Sequence, residues 1–143
     1  MIALLDVNVL IALVDTTNPH HASSMAFFAS AQRGGWATCP LTENGFLRIV
    51  GRSSYVGGPG STQDARKLLA KYLVAPGHHF WPDDLSFNDE RQFPDLPASA
   101  DLTDIYLLAL AVKNGGRFAT FDSKIDPSII PSGPQAYHLI RPS

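Results

Sequence analysis

A single cysteine, Cys39, is the whole thiol content of this 143-residue chain. One thiol makes neither an internal disulfide nor a cysteine-based zinc site, so Cys39, inside an apolar run, reads as a small buried residue. Such a chain suits a reducing cytoplasm. Charge is sparse as well: 17% of residues are Asp, Glu, Lys or Arg, and the net charge is −2 at pH 7. That balance excludes a protein that coats nucleic acid by bulk charge, although a local basic strip is still allowed. Long apolar runs are missing too. About eighteen apolar residues are needed to span a bilayer, and no stretch reaches that, so no membrane span is expected. The first apolar stretch is broken by Asp6, Asn8 and Asp15 and has no basic leader, which argues against a signal peptide. No internal repeat, low-complexity tract, Gly-x-x-x-x-Gly-Lys phosphate loop or Ser–His–Asp arrangement is evident.

What is present is apolar and alternating. The 45% apolar content is that of a globular chain, and the length fits one domain over residues 1–143 with a real core. Ile2 to Leu5 reads as a buried strand, and Asn8 as the cap of a short helix through Val14. An amphipathic helix is predicted from His20 to Gln32, with Met25, Phe28 and Ala29 on its inner face and a stop at Gly34-Gly35. Trp36 to Cys39 is a second strand, ended by Pro40, and Thr42 starts a helix to about Gly51. A glycine-rich loop follows, then a helix capped by Ser61 or Thr62 and facing inward through Ala65, Leu68, Leu69 and Tyr72. His79 to Trp81 is a short strand. Residues 83–100 are polar and proline-rich, with at most a short helix near Asn88 to Arg91. The strongest helix runs from Asp101-Leu102-Thr103 to Asn114, and strands are predicted at Arg117 to Thr120 and Tyr137 to Ile140. Strands alternating with helices imply an α/β fold: a three-layer α/β/α sandwich around a mainly parallel sheet of four to five strands.

Lysine and arginine are absent beside three particular acids. Asp6 ends the first apolar run, Glu43 follows the second strand, and Asp104 opens the apolar helix; Asp122 follows Phe118-Ala119-Thr120-Phe121. Ligands of open α/β sheets bind at the carboxyl ends of the strands, and a helix that follows a strand begins at that same edge. Asp6, Glu43, Asp104 and Asp122 are therefore all aimed at one rim, with Asp101 either sharing it or capping the helix. A pocket so negative repels itself when empty, and oxygen ligands favour a hard cation, Mg²⁺ or Mn²⁺.

Four segments resemble, in order, the four motifs of the PIN-domain ribonucleases, and more closely those of VapC-type toxins of toxin–antitoxin pairs. They are Leu5-Asp6-Val7-Asn8-Val9-Leu10, Thr42-Glu43-Asn44-Gly45-Phe46-Leu47-Arg48, Leu102-Thr103-Asp104-Ile105-Tyr106-Leu107, and Ala119-Thr120-Phe121-Asp122. The resemblance implies a metal-dependent endoribonuclease with Asp6, Glu43, Asp104 and Asp122 as its acidic set. It also implies a homodimer and a protein antitoxin that occupies or distorts the site. A compact acidic site cannot reach into a duplex groove, so single-stranded or looped RNA is the expected substrate.

Secondary candidates surround the acids. Arg48 and Arg52, one helical turn apart, either contact RNA phosphates or form a solvated face. Asn8 either caps its helix or helps to hold Asp6, and Thr120 either orients a ligand or water or is a plain strand threonine. The pairs His20-His21 and His78-His79 point apart along the chain and have no partner spaced for zinc. The alternative to an enzyme is a non-catalytic metal- or partner-binding α/β scaffold. A phosphoacceptor domain is disfavoured, because no second acid adjoins Asp6.

Overall fold

The first apolar run becomes strand β1, Ala3–Leu5, completely buried. It lies at the centre of a five-stranded sheet in the computed structural model, which describes residues 1–142. The other strands are β2 (Trp36–Thr38), β3 (His78–Phe80), β4 (Arg117–Thr120) and β5 (Tyr137–Leu139), in the order β3-β2-β1-β4-β5. Every pairing is parallel, with Leu4 opposite Ala37 on one side and Phe118 on the other. Helices α1 (Val7–Val14), α2 (His21–Gly34), α3 (Pro40–Val50) and α4 (Thr62–Leu73) carry the chain outward from β1 through β2 to β3. Helix α5 (Leu102–Lys113) returns it to β4, and the short α6 (Gly133–Ala136) leads to β5.

Strand alternation sorts the core into two halves. Ala3, Leu5, Trp36 and Ala119 face α1 to α4, whereas Leu4, Ala37 and Phe118 face α5 and α6. This is the expected three-layer sandwich, and each fully buried Leu contributes roughly 1.5–3 kcal/mol. Reversal of strand order on either side of β1 leaves a crevice at the carboxyl ends of β1 and β4, where open α/β sheets bind ligands. No helix among the described residues is long and apolar enough to cross a membrane.

Three local expectations are corrected. Helix α2 buries Ser23, Ser24, Phe28 and Ala31, while Met25 is 43% exposed and Ala29 also faces outward. The small Ser24 lets α2 approach α1 closely and donates its hydroxyl to the Val9 carbonyl at 2.9 Å. Helix α3 begins at Pro40 rather than Thr42; Thr42 is the third helical residue, and its hydroxyl accepts the Cys39 N–H at 3.0 Å. The stretch near Asn88 to Arg91 forms turns, not a helix. It is held down by its aromatic residues: Phe87 and Phe93 pack with Tyr106 of α5.

Gly45 sets the distance between α1 and α3. A Cβ there would stand 2.5 Å from Cγ2 of Val7, and the branched Val7 has little freedom to turn away. Gly45→Ala is expected to destabilise the fold by roughly 1–3 kcal/mol, despite the better helix propensity of alanine. Denaturant unfolding of the single and double variants checks this: Gly45→Ala should add almost no further loss in a Val7→Ala background.

Candidate active site

Asp6 follows β1 directly and is only 6% exposed. Both its oxygens are engaged. Oδ1 accepts the Val7 N–H at 2.7 Å, making Asp6 the N-cap of α1, and Oδ2 accepts the Thr120 hydroxyl at 2.7 Å. Thr120 Oγ1 then accepts the Asn8 amide at 3.3 Å and the Asp122 N–H at 3.0 Å. One proton given and two accepted exhaust a hydroxyl. Asn8 Oδ1 takes the Phe121 N–H at 3.3 Å. Asn8 is thus not the helix cap, a role taken by Asp6; it ties α1 to the end of β4 and fixes Thr120, which in turn orients Asp6. Thr120 is more than a strand filler for the same reason.

Asp104 lies in the first turn of α5, on the face of the sheet to which Asp6 and Thr120 also point. Its carboxyl is pushed up to about 7, first by burial, then by the negative charges of Asp6 and Asp122, by a hydrogen bond with Asp122, and by Asp101. Burial is likewise the main cause holding Asp6 above its ordinary range, against the hydrogen bonds from Thr120 and Val7. Asp101 occupies the N-cap position of α5 without a capping side-chain bond, so its effect on the rim is electrostatic. Asp122 also accepts the Lys124 N–H at 2.8 Å, the turn contact expected of Phe-Asp-Ser-Lys. The structure therefore brings Asp6, Asp104 and Asp122 into one electrostatically coupled group.

Glu43 is turned elsewhere. Its Oε2 accepts the hydroxyl of Thr38 at 2.8 Å, and Thr38 Oγ1 also meets Nε2 of His78 at 2.8 Å. Thr38 spends its one proton on Glu43, so His78 must present a protonated Nε2. Thr38 shares the parity of Trp36 and points to the α1–α4 side of the sheet, whereas Asp6 follows the parity of Leu4. That difference separates Glu43 from the trio. Thr38 was not singled out from sequence, and His78 was weighed there only as a zinc ligand. Thr38 is close enough in sequence to Glu43 to have been found; His78 reaches it only through the register that sets Trp36 opposite His78.

Arg48 is exposed in the last turn of α3, and Arg52 lies beyond its C-cap Gly51. They do not share one helical face, and both stand at the end of α3 remote from the rim. Neither is in an ion pair among the described residues. The other histidines serve packing and turns: His20 stacks on Phe121, and His21 Nδ1 meets the Ala12 carbonyl at 2.7 Å.

Among the described residues, no group of three or more His, Cys, Asp or Glu side chains is arranged to hold a metal ion. The donor chemistry of the trio nonetheless fits a hard divalent cation. Asp6 is buried, Asp104 and Asp122 are half-buried, their charges repel one another, and none is paired with a lysine or arginine among the described residues.

The raised carboxyl of Asp104 has a definite sign. Folding raises its pKa, so between about pH 4 and 7 the folded state binds the extra proton and stability falls as pH rises. With allowance for its partial exposure, the effect is on the order of 1–2 kcal/mol. His78 and His138, held low by burial, oppose it as pH falls below about 6.5. The difference between wild type and Asp104→Asn, followed by chemical unfolding in chelator from pH 5 to 8, isolates the acid. Asp104→Asn is expected to gain on wild type as pH rises. Asp6→Asn should gain less or lose stability, because its amide N–H must face either the saturated Thr120 hydroxyl or the Val7 N–H.

Comparison with known proteins agrees with this geometry. The family model of the PIN domain matches residues 3–126. The chain is 40% identical over 141 residues to ribonuclease VapC44 of Mycobacterium tuberculosis, covering 97% of this chain and 98% of that protein. It is 39% identical to ribonuclease VapC39 of the same organism, covering 90% and 94%. A crystal structure of VapBC2 from Rickettsia felis, bound to a DNA fragment from its promoter, superposes with a TM-score of 0.58. The match covers 87% of this chain and 90% of that one at 10% identity, a likeness of fold alone. The match of the PIN-domain model to residues 3–126 and the 40% identity over nearly the whole chain, with an acidic trio at the switch point of an all-parallel sheet, place this protein in the PIN-domain family, among the VapC ribonucleases.

Proposed function

We propose that this protein is a Mg²⁺- or Mn²⁺-dependent endoribonuclease acting on single-stranded or looped RNA, and the toxin of a toxin–antitoxin pair. The observation that carries the reading is the coupled trio: Asp104 is pushed up to about 7 beside Asp6 and Asp122 at the switch point of the sheet. Similarity to proteins named ribonuclease VapC supports the choice of RNA. The likeness of fold to VapBC2, crystallised on a fragment of its promoter DNA, supports an antitoxin partner. A homodimer of the single domain, 1–143, acting in the cytoplasm completes the proposal.

Asp6, Asp104 and Asp122 would hold the cation, with Glu43 recruited from Thr38. When bound, the cation supplies Lewis-acid stabilisation of the charge that develops on the phosphoryl oxygens and the departing sugar oxygen. The residues of the chain provide the rest. Thr120 holds the Asp6 carboxylate in one orientation, and Asn8 holds Thr120. Thr38, itself met by His78, holds Glu43 ready. Water attacks phosphorus, the phosphorus bond to the sugar oxygen breaks, and the departing oxygen takes a proton from solvent. Whichever of the four acids lies outside the cation's shell accepts the proton of the attacking water.

The test is cleavage of single-stranded RNA by purified protein. Activity is expected only with added Mg²⁺ or Mn²⁺. Asp104→Asn, Asp6→Asn and Glu43→Gln should each lose roughly 100-fold or more. Thr120→Val keeps the shape but frees Asp6, and should lose about 10–100-fold, as removal of orienting partners does elsewhere. Full cleavage in excess chelator, with contaminating nuclease excluded, would contradict the mechanism.

A further inference from the structure

Beside the acidic rim lies a cleft that the mechanism does not use. It measures about 320 Å³ and is lined by Leu41, Asp83, Leu85, Phe87, Thr103 and Tyr106, among others. Its place follows from the topology. Leu41 is two residues before Glu43 at the start of α3, and Thr103 directly precedes Asp104 at the start of α5. The outer wall is the proline-rich segment after β3, anchored on α5 by the ring packing of Phe87 and Phe93 on Tyr106 and by a 2.6 Å ion pair between Lys113 and Asp84.

We propose that this cleft is a nucleobase subsite that receives a base flanking the cleaved phosphodiester. The inference rests on the ribonuclease reading given above. Phe87, 38% exposed, offers an aromatic wall, and unpaired RNA bases are commonly stacked on such rings. Two polar groups stand among the apolar ones. Asp83 Oδ2 accepts the Leu41 N–H at 2.9 Å, and the Cys39 thiol also bonds to this carboxylate. A carboxylate has about four lone-pair positions, so acceptor capacity remains for an exocyclic amine. The Tyr106 hydroxyl accepts the Leu85 N–H at 3.3 Å and still has its own proton to donate. Burial holds that phenol above its ordinary range, so it remains a donor. One acceptor and one donor beside an aromatic wall match the edge of a nucleobase, where an N–H stands next to a ring nitrogen or a carbonyl.

Asp83→Asn gives a sharp test, because asparagine keeps an oxygen for the Leu41 N–H while replacing acceptor capacity with an amine. Adenosine, cytidine and uridine are titrated into the full chain in chelator, followed by NMR at the Leu85 amide and the Phe87 ring. Each nucleoside should shift both signals in a saturable way, and ribose, which has no base, should not. Asp83→Asn and Phe87→Ala should each weaken all three nucleosides roughly fivefold or more. In parallel, with Mg²⁺, both substitutions should raise KM for a single-stranded RNA more than they lower kcat. If no nucleoside perturbs the cleft, or if neither substitution weakens binding, the subsite is refuted, including the case in which a protein segment occupies the cleft instead. If nucleosides bind as expected and no RNA is cut, it is the ribonuclease reading that fails and not the subsite.

Discussion

The hydrogen bond from Thr120 to Asp6 is the contact on which the candidate site depends. It joins the ends of the two central strands, β1 and β4, and it is given to a carboxylate that burial would otherwise drive toward neutrality. An unpaired carboxylate that is 6% exposed is costly, and nothing cationic approaches it among the described residues. The structure supplies dipoles instead: the Val7 N–H, the Thr120 hydroxyl and, one step out, the Asn8 amide and Asp122 N–H that lock the hydroxyl. These hold Asp6 in place without cancelling its charge. Asp104 and Asp122 add to that charge, and the account of function grows from the repulsion that results.

The fold then explains why the repulsion is gathered at one point. Strand order reverses at β1, so the carboxyl ends of β1 and β4 border an open crevice with α5 starting above it. The strands place Asp6 and Thr120 on the same side of the sheet as α5, and the first turn of α5 delivers Asp104. Glu43, on α3, rests instead on the Thr38 hydroxyl.

Much of this was legible in the sequence because local patterns carried it. The uniformly apolar runs at Leu4 and Leu107 marked fully buried elements, and turn residues marked their ends. What misled was local ambiguity. Asp6 and Asn8 are both good caps, and only the long-range bond from Asn8 to Thr120 decides between them. In α2 Ser23 and Ser24 are buried and Met25 is not, because close packing on α1 favours small side chains over long ones. Arg48 and Arg52 looked like one helical stripe until Gly51 ended the helix between them. The Glu43–Thr38–His78 chain depends on β2–β3 register, which no local pattern encodes. The four acids themselves were found, but the grouping of three apart from one required the sheet's two faces to be known.

The central claim is that burial and like charge hold the Asp104 carboxyl near neutrality until a divalent cation relieves it. Carbon-13 NMR titration of the side-chain carboxyls measures this directly. In metal-free protein, Asp104 should titrate near 7 and shift downward in Asp122→Asn. Saturating Mg²⁺ should lower it by about two units or more, into the ordinary carboxylate range. An Asp104 carboxyl that titrates near 4 without metal, and does not move when Mg²⁺ is added, would contradict the account.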